Sequence, residues 1–309
     1  MKTAFLFPGQ GAQYSGMAKD LFEASGRVRD LFALAKETTG IDVQRLLFEG
    51  TDEELKETVN TQVSVTLANL SAAVVLSEHG VAAQGTAGFS LGEYSALVEA
   101  GVLEARQIFP LVKLRGELMA KAAATLDRSG GDPGMAAVIG LSPEKVDEVL
   151  AGSAIPDLFG ANYNSPNQVV ISGTARGLAS GIEVLKASGA RRVVILKVSG
   201  PFHSPLLSDA ARALEEAIAS IPFRNPEKLL FSNVTGKAVV SGAEAKRLAV
   251  LQVTSPVRWI TEERSLVDEG FDRLIEAGPG AVLAGLWGSF SDVLPCLAGG
   301  KLEQIQHIV

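Results

Sequence analysis

The chain has 309 residues, 47% of them hydrophobic and 20% charged, with a formal net charge of −7. That is the balance of a globular protein with one large domain, or a large and a small one. The acidic balance argues against nucleic acid as the main partner. The lone cysteine, Cys296, excludes an internal disulfide and fits a reducing cytoplasm, and three scattered histidines make a zinc site unexpected. No run of residues is read as spanning a membrane, so the expectation is a cytoplasmic monomer without metal or cofactor.

The segment Met1–Gly9 reads as a first strand at Phe5–Phe7 rather than a leader, and runs into Phe7-Pro8-Gly9-Gln10-Gly11. This glycine-rich turn fails as a dinucleotide loop, because Tyr14 stands where the third glycine belongs. It fails as a phosphate loop because Met17, not lysine, follows Gly16. Two readings stay open: a plain strand–helix turn, or a turn presenting the Gln10 N–H to a cleft. Residues 15 to 37 carry helical periodicity, and residues 61 to 78 form an almost wholly apolar, hence buried, helix.

Next, a short strand runs into Gly88-Phe89-Ser90-Leu91-Gly92, with a helix from Glu93 to Gly101 behind it. A serine in a G-x-S-x-G turn between strand and helix has its hydroxyl lifted above the sheet. The free N–H groups of the helix start can receive a developing oxyanion. Residues 103 to 125 give another long helix, carrying Arg115 beside its apolar face. A buried guanidinium there needs a carboxylate, either an internal one or one brought by a ligand.

Asp127–Gly134 breaks the pattern, and after it strands and helices follow in the order β-α-β-β-α-β, the ferredoxin-like motif. The strands are read at Met135–Gly140, Leu158–Tyr163, Gln168–Ser172 and Arg191–Val198. Residues 129–198 are therefore read as an insertion into a larger α/β domain made of residues 1–128 and 199–309. A mainly parallel sheet is expected in the larger domain, and a cleft between the two parts is the expected site.

Ser90 needs a base. His79 ends a helix before Gly80, and His307 lies near the C-terminal end. His203, in Gly200-Pro201-Phe202-His203-Ser204, sits in a rigid loop at the end of the last strand of the insertion. It is the base by elimination. Asn162–Pro166 and Gln252–Trp259 are polar loops that can line a cleft. Asp209 and Glu276 are possible acid partners for a histidine, yet nothing in the sequence places either beside His203.

These motifs, in this order and over essentially the whole chain, resemble the malonyl-CoA:acyl-carrier-protein transacylase family of bacterial fatty acid synthesis, with its α/β-hydrolase-like larger domain. The resemblance implies a ping-pong transfer from malonyl-CoA to the phosphopantetheine thiol of acyl carrier protein, through a malonyl ester of Ser90 with His203 as base. It further implies an oxyanion hole from the N–H groups of Leu91 and Gln10, and a carboxylate clamp at Arg115. Met119, Asn162, Phe202 and Gln252 would stand around the substrate, with a backbone carbonyl near Gln252 orienting the histidine. Phe202 resembles the bulky residue of malonyl-selective members. Arg191 and Arg192 are candidates for docking the carrier, or else solvated surface charges. The sequence departs from the family at Phe89, where histidine is usual. The alternatives are a discrete acyltransferase of a polyketide or polyunsaturated-lipid assembly line, a serine hydrolase with a late acid and histidine, and a non-enzymatic module that binds an acidic ligand.

Overall fold

A computed structural model describes all residues from Met1 to Val309. Two strands come first, β1 (Thr3–Phe7) and β2 (Gly85–Gly88). Four consecutive ones follow: β3 (Gly134–Ile139), β4 (Leu158–Ser165), β5 (Gln168–Gly173) and β6 (Arg192–Ile195). The last three are β7 (Leu229–Leu230), β8 (Arg273–Glu276) and β9 (Cys296–Ala298). The larger sheet runs β7-β2-β1-β8-β9, with every pairing parallel. Every residue of β1 is buried, as a central parallel strand covered by helices on both faces requires.

The second sheet is antiparallel, in the order β4-β5-β3-β6. Two helices, Pro143–Ser153 and Ala175–Ala187, cover one face of it over their own apolar core. This is the arrangement expected of the ferredoxin-like order, and all its strands lie within residues 134–195. The small sheet is tied to the larger part at β4. Tyr163 N–H donates to the Val257 carbonyl and Val257 N–H to that of Ala161, both at 2.8 Å.

Several boundaries differ from the sequence reading, each for a local reason. The helix read over residues 15 to 37 is two, Lys19–Ala24 and Gly26–Thr39. Ser25 between them is extended, and its hydroxyl caps the second by accepting from Val28 N–H at 3.3 Å. The strand read over Arg191–Val198 keeps ladder pairing only through Ile195, because β6 is an edge strand. Leu196 still donates to the Met135 carbonyl at 2.9 Å before the chain leaves the sheet.

The expectation that no run could span a membrane needs correction. The helix Thr58–Glu78 has 21 residues and a mean hydropathy of 1.4, long and apolar enough by those measures. Its polar residues are nearly all uncharged, which keeps hydropathy high. Yet 83% of the apolar window is buried within the protein, and the helix runs through the main core. It is a core helix by surroundings.

On the other face of the larger sheet, Trp259 and Trp287 fill a second core. The helix Trp259–Asp268 brings Glu263 there, fully buried, with neither carboxylate oxygen hydrogen-bonded. Burial pushes its carboxyl up to about 8. The folded protein thus holds a proton that the unfolded chain releases near the ordinary glutamate value. The resulting stabilisation is complete at acid pH and is lost as pH rises toward about 8. Thermal unfolding followed from pH 6 to pH 9 should show stability falling, with Glu263 contributing on the order of 3 kcal/mol. Glu263→Gln should flatten that slope; a variant with the parent's pH dependence would clear Glu263 of the effect.

Candidate active site

The parallel pairing of β1 with β2 sets Phe7 beside Gly88, so the two chains leave the sheet side by side. One continues into Pro8-Gly9-Gln10, the other into the Ser90 turn and the helix Gly92–Glu99. Glycine is required where these segments cross. A Cβ on Gly92 would stand 1.9 Å from the Phe7 carbonyl oxygen, and one on Gly88 would stand 2.1 Å from the Gly92 backbone. At the apex Ser90 adopts φ 51°, the left-handed conformation of a sharp strand-to-helix bend.

Ser90 Oγ lies 2.7 Å from His203 Nε2. The imidazole's Nδ1 is 2.9 Å from the Gln252 carbonyl and 3.2 Å from that of Ser255. Carbonyl oxygens only accept, so Nδ1 carries the proton and Nε2 is left free to take the serine's. No carboxylate touches the ring. Asp209 is an exposed partner of Arg212. Glu276 is buried elsewhere, accepting from Ala284 N–H at 2.8 Å. The pair is a dyad oriented by main chain. Burial, and then the nearby Arg115 charge, hold the His203 imidazole down at about 4. His79 and His307 hydrogen-bond carbonyls of their own helices.

Arg115 is 1% exposed and comes from the helix Ala105–Ala124. An internal acid, one of the two readings left open by the sequence, is not its partner. Its guanidinium donates to Gln62 Oε1 at 2.8 Å and to Gln252 Oε1 at 2.9 Å, and lies over the Tyr94 ring at 5.0 Å. One of its nitrogens stands 3.5 Å from Ser90 Oγ. A cation is thus buried against amides and an aromatic face with no carboxylate in contact, and burial lowers its pKa.

Ser90, His203 and Arg115 line one cavity of about 160 Å³ together with Gln10, Met119, Asn162 and Phe202. Met135, Val170, Leu196 and Val198, from the insertion and its exit, supply an apolar wall. Four residues singled out from the sequence for the substrate or the oxyanion therefore meet the catalytic pair there. Gln252 does not: it is fully buried beneath the cavity, and holds Arg115 and His203 rather than facing a ligand. The backbone N–H groups of Leu91 and Gln10 have no acceptor within the protein. Arg191 and Arg192 are exposed at the outer end of the insertion and form no ion pair.

Of the polar lining residues, Gln62 escaped the sequence reading, and Asn164 was read only as part of a polar loop although it lies on β4. Gln62 was hidden in the apolar helix, although a lone amide there was a usable signal. Asn164 is two residues beyond Asn162 on β4, so the period of a strand puts both on one face. The Oδ1 atoms of both asparagines and Nε of Arg115 are buried without partners. Three unpaired polar atoms around one small cavity are placed to hold a polar ligand. A larger hollow of about 360 Å³, between Ser142–Asp147 and Arg258–Arg264, has the hydroxyls of Ser142 and Thr261 in its lining but no histidine to activate them.

Comparison with known proteins agrees with this geometry. Residues 4–288 match the acyl transferase domain family. The chain is 38% identical to the malonyl CoA-acyl carrier protein transacylase of Bacillus subtilis, over 99% of its own length and 95% of the relative's. It superposes on an acyl carrier protein S-malonyltransferase from Vibrio cholerae with a TM-score of 0.95 and 35% identity, over the whole of both chains. A malonyl-transacylase solved in complex with its type II PKS acyl-carrier protein gives a TM-score of 0.93 at 36% identity, over 99% of this chain and 98% of that one. The chain belongs to the acyl transferase family and, within it, groups with the malonyl CoA-acyl carrier protein transacylases.

Proposed function

We propose that this protein moves the malonyl group from malonyl-CoA to the phosphopantetheine thiol of acyl carrier protein, through a malonyl ester of Ser90. The observation that carries the reading is Arg115, a buried guanidinium within reach of the nucleophile and lacking a carboxylate. A malonyl group brings one at the right end of a short acyl chain. Two parallel N–H···O bonds would then give the guanidinium the contacting carboxylate that the protein itself does not supply. An acetyl group would leave it without one, which is how such a site discriminates.

In the first half-reaction Ser90 Oγ attacks the thioester carbonyl as His203 Nε2 takes its proton. The oxyanion faces the Leu91 and Gln10 N–H groups, an arrangement worth about 3 kcal/mol per donor in comparable sites. Collapse expels the CoA sulfur, which leaves as thiol with the proton from His203. In the second half the carrier's thiol gives its proton to His203 and attacks the ester carbonyl. Ser90 leaves and takes that proton back, so nothing is consumed beyond the two substrates. No cofactor enters these steps. Arg191 and Arg192 are the proposed contacts for an acidic carrier, and the cytoplasm is the proposed compartment. A polyketide carrier is the second reading, favoured by one observation: a close structural neighbour is bound to one. The chemistry is the same, and the supply of fatty acid synthesis is preferred on the resemblance of the sequence motifs to the family of bacterial fatty acid synthesis. A hydrolase is disfavoured by the histidine, whose partners are carbonyls rather than a late acid.

Brief incubation with malonyl-CoA should add one malonyl mass to the protein, and Ser90→Ala should abolish it; labelling retained in that variant would move the nucleophile elsewhere. His203→Ala should slow loading by about 1,000-fold, and near-normal loading would remove it as base. Because His203 is held near 4 in the free protein, kcat/KM for loading should stay level from pH 8 down to about 5.5 and fall only below. An acid limb at the ordinary histidine value would contradict the assignment. Arg115→Ala should lower kcat/KM for malonyl-CoA by roughly 100-fold while leaving acetyl-CoA much less affected; an equal loss for both would end the clamp.

A further inference from the structure

The turn that carries Ser90 is held from beneath by an asparagine with no part in the steps above. Asn233 follows β7 and is fully buried. Its Oδ1 accepts the Ser90 N–H at 2.6 Å, and its Nδ2 donates to the Gly88 carbonyl and to Glu262 Oε1, each at 2.7 Å. One side chain thus spans the bend, holding the carbonyl before Phe89 and the N–H after it. A backbone N–H can only donate and a carbonyl can only accept, so the two ends of the amide are assigned without ambiguity.

The asparagine is itself fixed on every side. Its own N–H donates to Glu93 Oε2 at 3.1 Å, and its carbonyl accepts from Arg258 N–H at 2.8 Å. Gln252 Nε2 completes the frame from the other side by donating to the Ser90 carbonyl at 3.0 Å. A non-glycine residue at φ 51° costs energy, and such a conformation persists only where the surroundings over-determine it. Aspartate, leucine or serine in the same place could not both donate to Gly88 and accept from Ser90 without an added proton or a change of length.

We infer that Asn233 is a positioning residue that templates the nucleophile turn, and so sets Ser90 Oγ against His203 Nε2. The inference rests on the reading of Ser90 as nucleophile and deepens it. Asn233 lines no part of the cavity and does not touch Arg115. Its loss should therefore act on the chemical step and not on substrate affinity, since a misplacement of about 1 Å at a reacting atom is enough to cost about 100-fold.

The test is rapid-quench loading followed by intact mass, over a range of malonyl-CoA concentrations, for the parent, Asn233→Ala and Asn233→Asp. Asn233→Ala should lower the saturating loading rate by about 100-fold, with the half-saturating concentration shifted less than about threefold. In Asn233→Asp a protonated carboxyl can still donate to Gly88 and accept from Ser90. That variant should lose loading as pH rises and its carboxyl ionises, whereas the parent's rate should not fall with rising pH. A saturating rate within about threefold of the parent in Asn233→Ala would overturn the proposal, as would a loss confined to half-saturation. If the alanine variant does not fold, the aspartate variant decides, and a parent-like pH profile there sinks the idea. A fluorophosphonate probe that phosphonylates serine with loss of fluoride is run in parallel. Should the parent take the probe but no malonyl group, the malonyl reading falls, and the probe rates of the three proteins still judge Asn233.

Discussion

One glutamine makes the site a unit. The Gln252 side chain accepts from Arg115, and donates to the Ser90 carbonyl at 3.0 Å and to Glu93 at 2.6 Å. Its main-chain carbonyl fixes the His203 tautomer. Nucleophile, base and cation come from three distant stretches of chain, and each is bonded to this residue. The arrangement is possible because Gln252 ends the helix Gly242–Leu251, so its carbonyl is not consumed by a helical bond while its amide points into the core. Polar groups buried this way are favourable only when all are satisfied, and a network of this kind holds one geometry because alternatives leave atoms unpaired.

The network also explains why the nucleophile can sit on a strained bend. Ser90 and His203 both have positive φ, at 51° and 56°. Each is held at its polar ends rather than by bulk: Ser90 by Asn233 and Gln252, His203 by the carbonyls of Gln252 and Ser255. Rigidity there comes from residues beneath the cavity, which leaves its walls free to be shaped by the insertion.

Legibility in the sequence divided along the same line. The order of strands and helices, the small inserted sheet, the G-x-S-x-G turn and the choice among three histidines all rest on local patterns, and the structure brings Ser90, His203 and Arg115 to one cavity. What the sequence concealed was support. Asn233 lies in Phe231-Ser232-Asn233-Val234-Thr235-Gly236, which reads as an ordinary turn, and Glu93 reads as a helix-start acid. The bonds that tie them to each other and to the Ser90 turn span more than a hundred residues, and no period or spacing announces such a bond. Gln252 was found for its main chain but misplaced as a substrate contact, because a loop rich in Gln, Thr and Ser looks exposed. The helix Thr58–Glu78 was read as buried, which it is, but its reach was underestimated: its length and hydropathy alone would also allow a span, and only what packs around it makes it a core helix.

Electrostatics link the clamp to the base. His203 is held at about 4 by burial first and by the Arg115 charge second. Both causes keep the imidazole neutral, ready to accept a proton but a weak base. On the proposed reading, a malonyl carboxylate on Arg115 cancels the second of these causes. The imidazole then rises toward its ordinary value, and a base nearer the working pH takes a proton more readily. A substrate lacking the carboxylate leaves the repulsion in place, so it loses affinity and also meets a weaker base. Selectivity exercised on both binding and proton transfer follows from putting an unpaired guanidinium 3.5 Å from the nucleophile that the histidine must deprotonate.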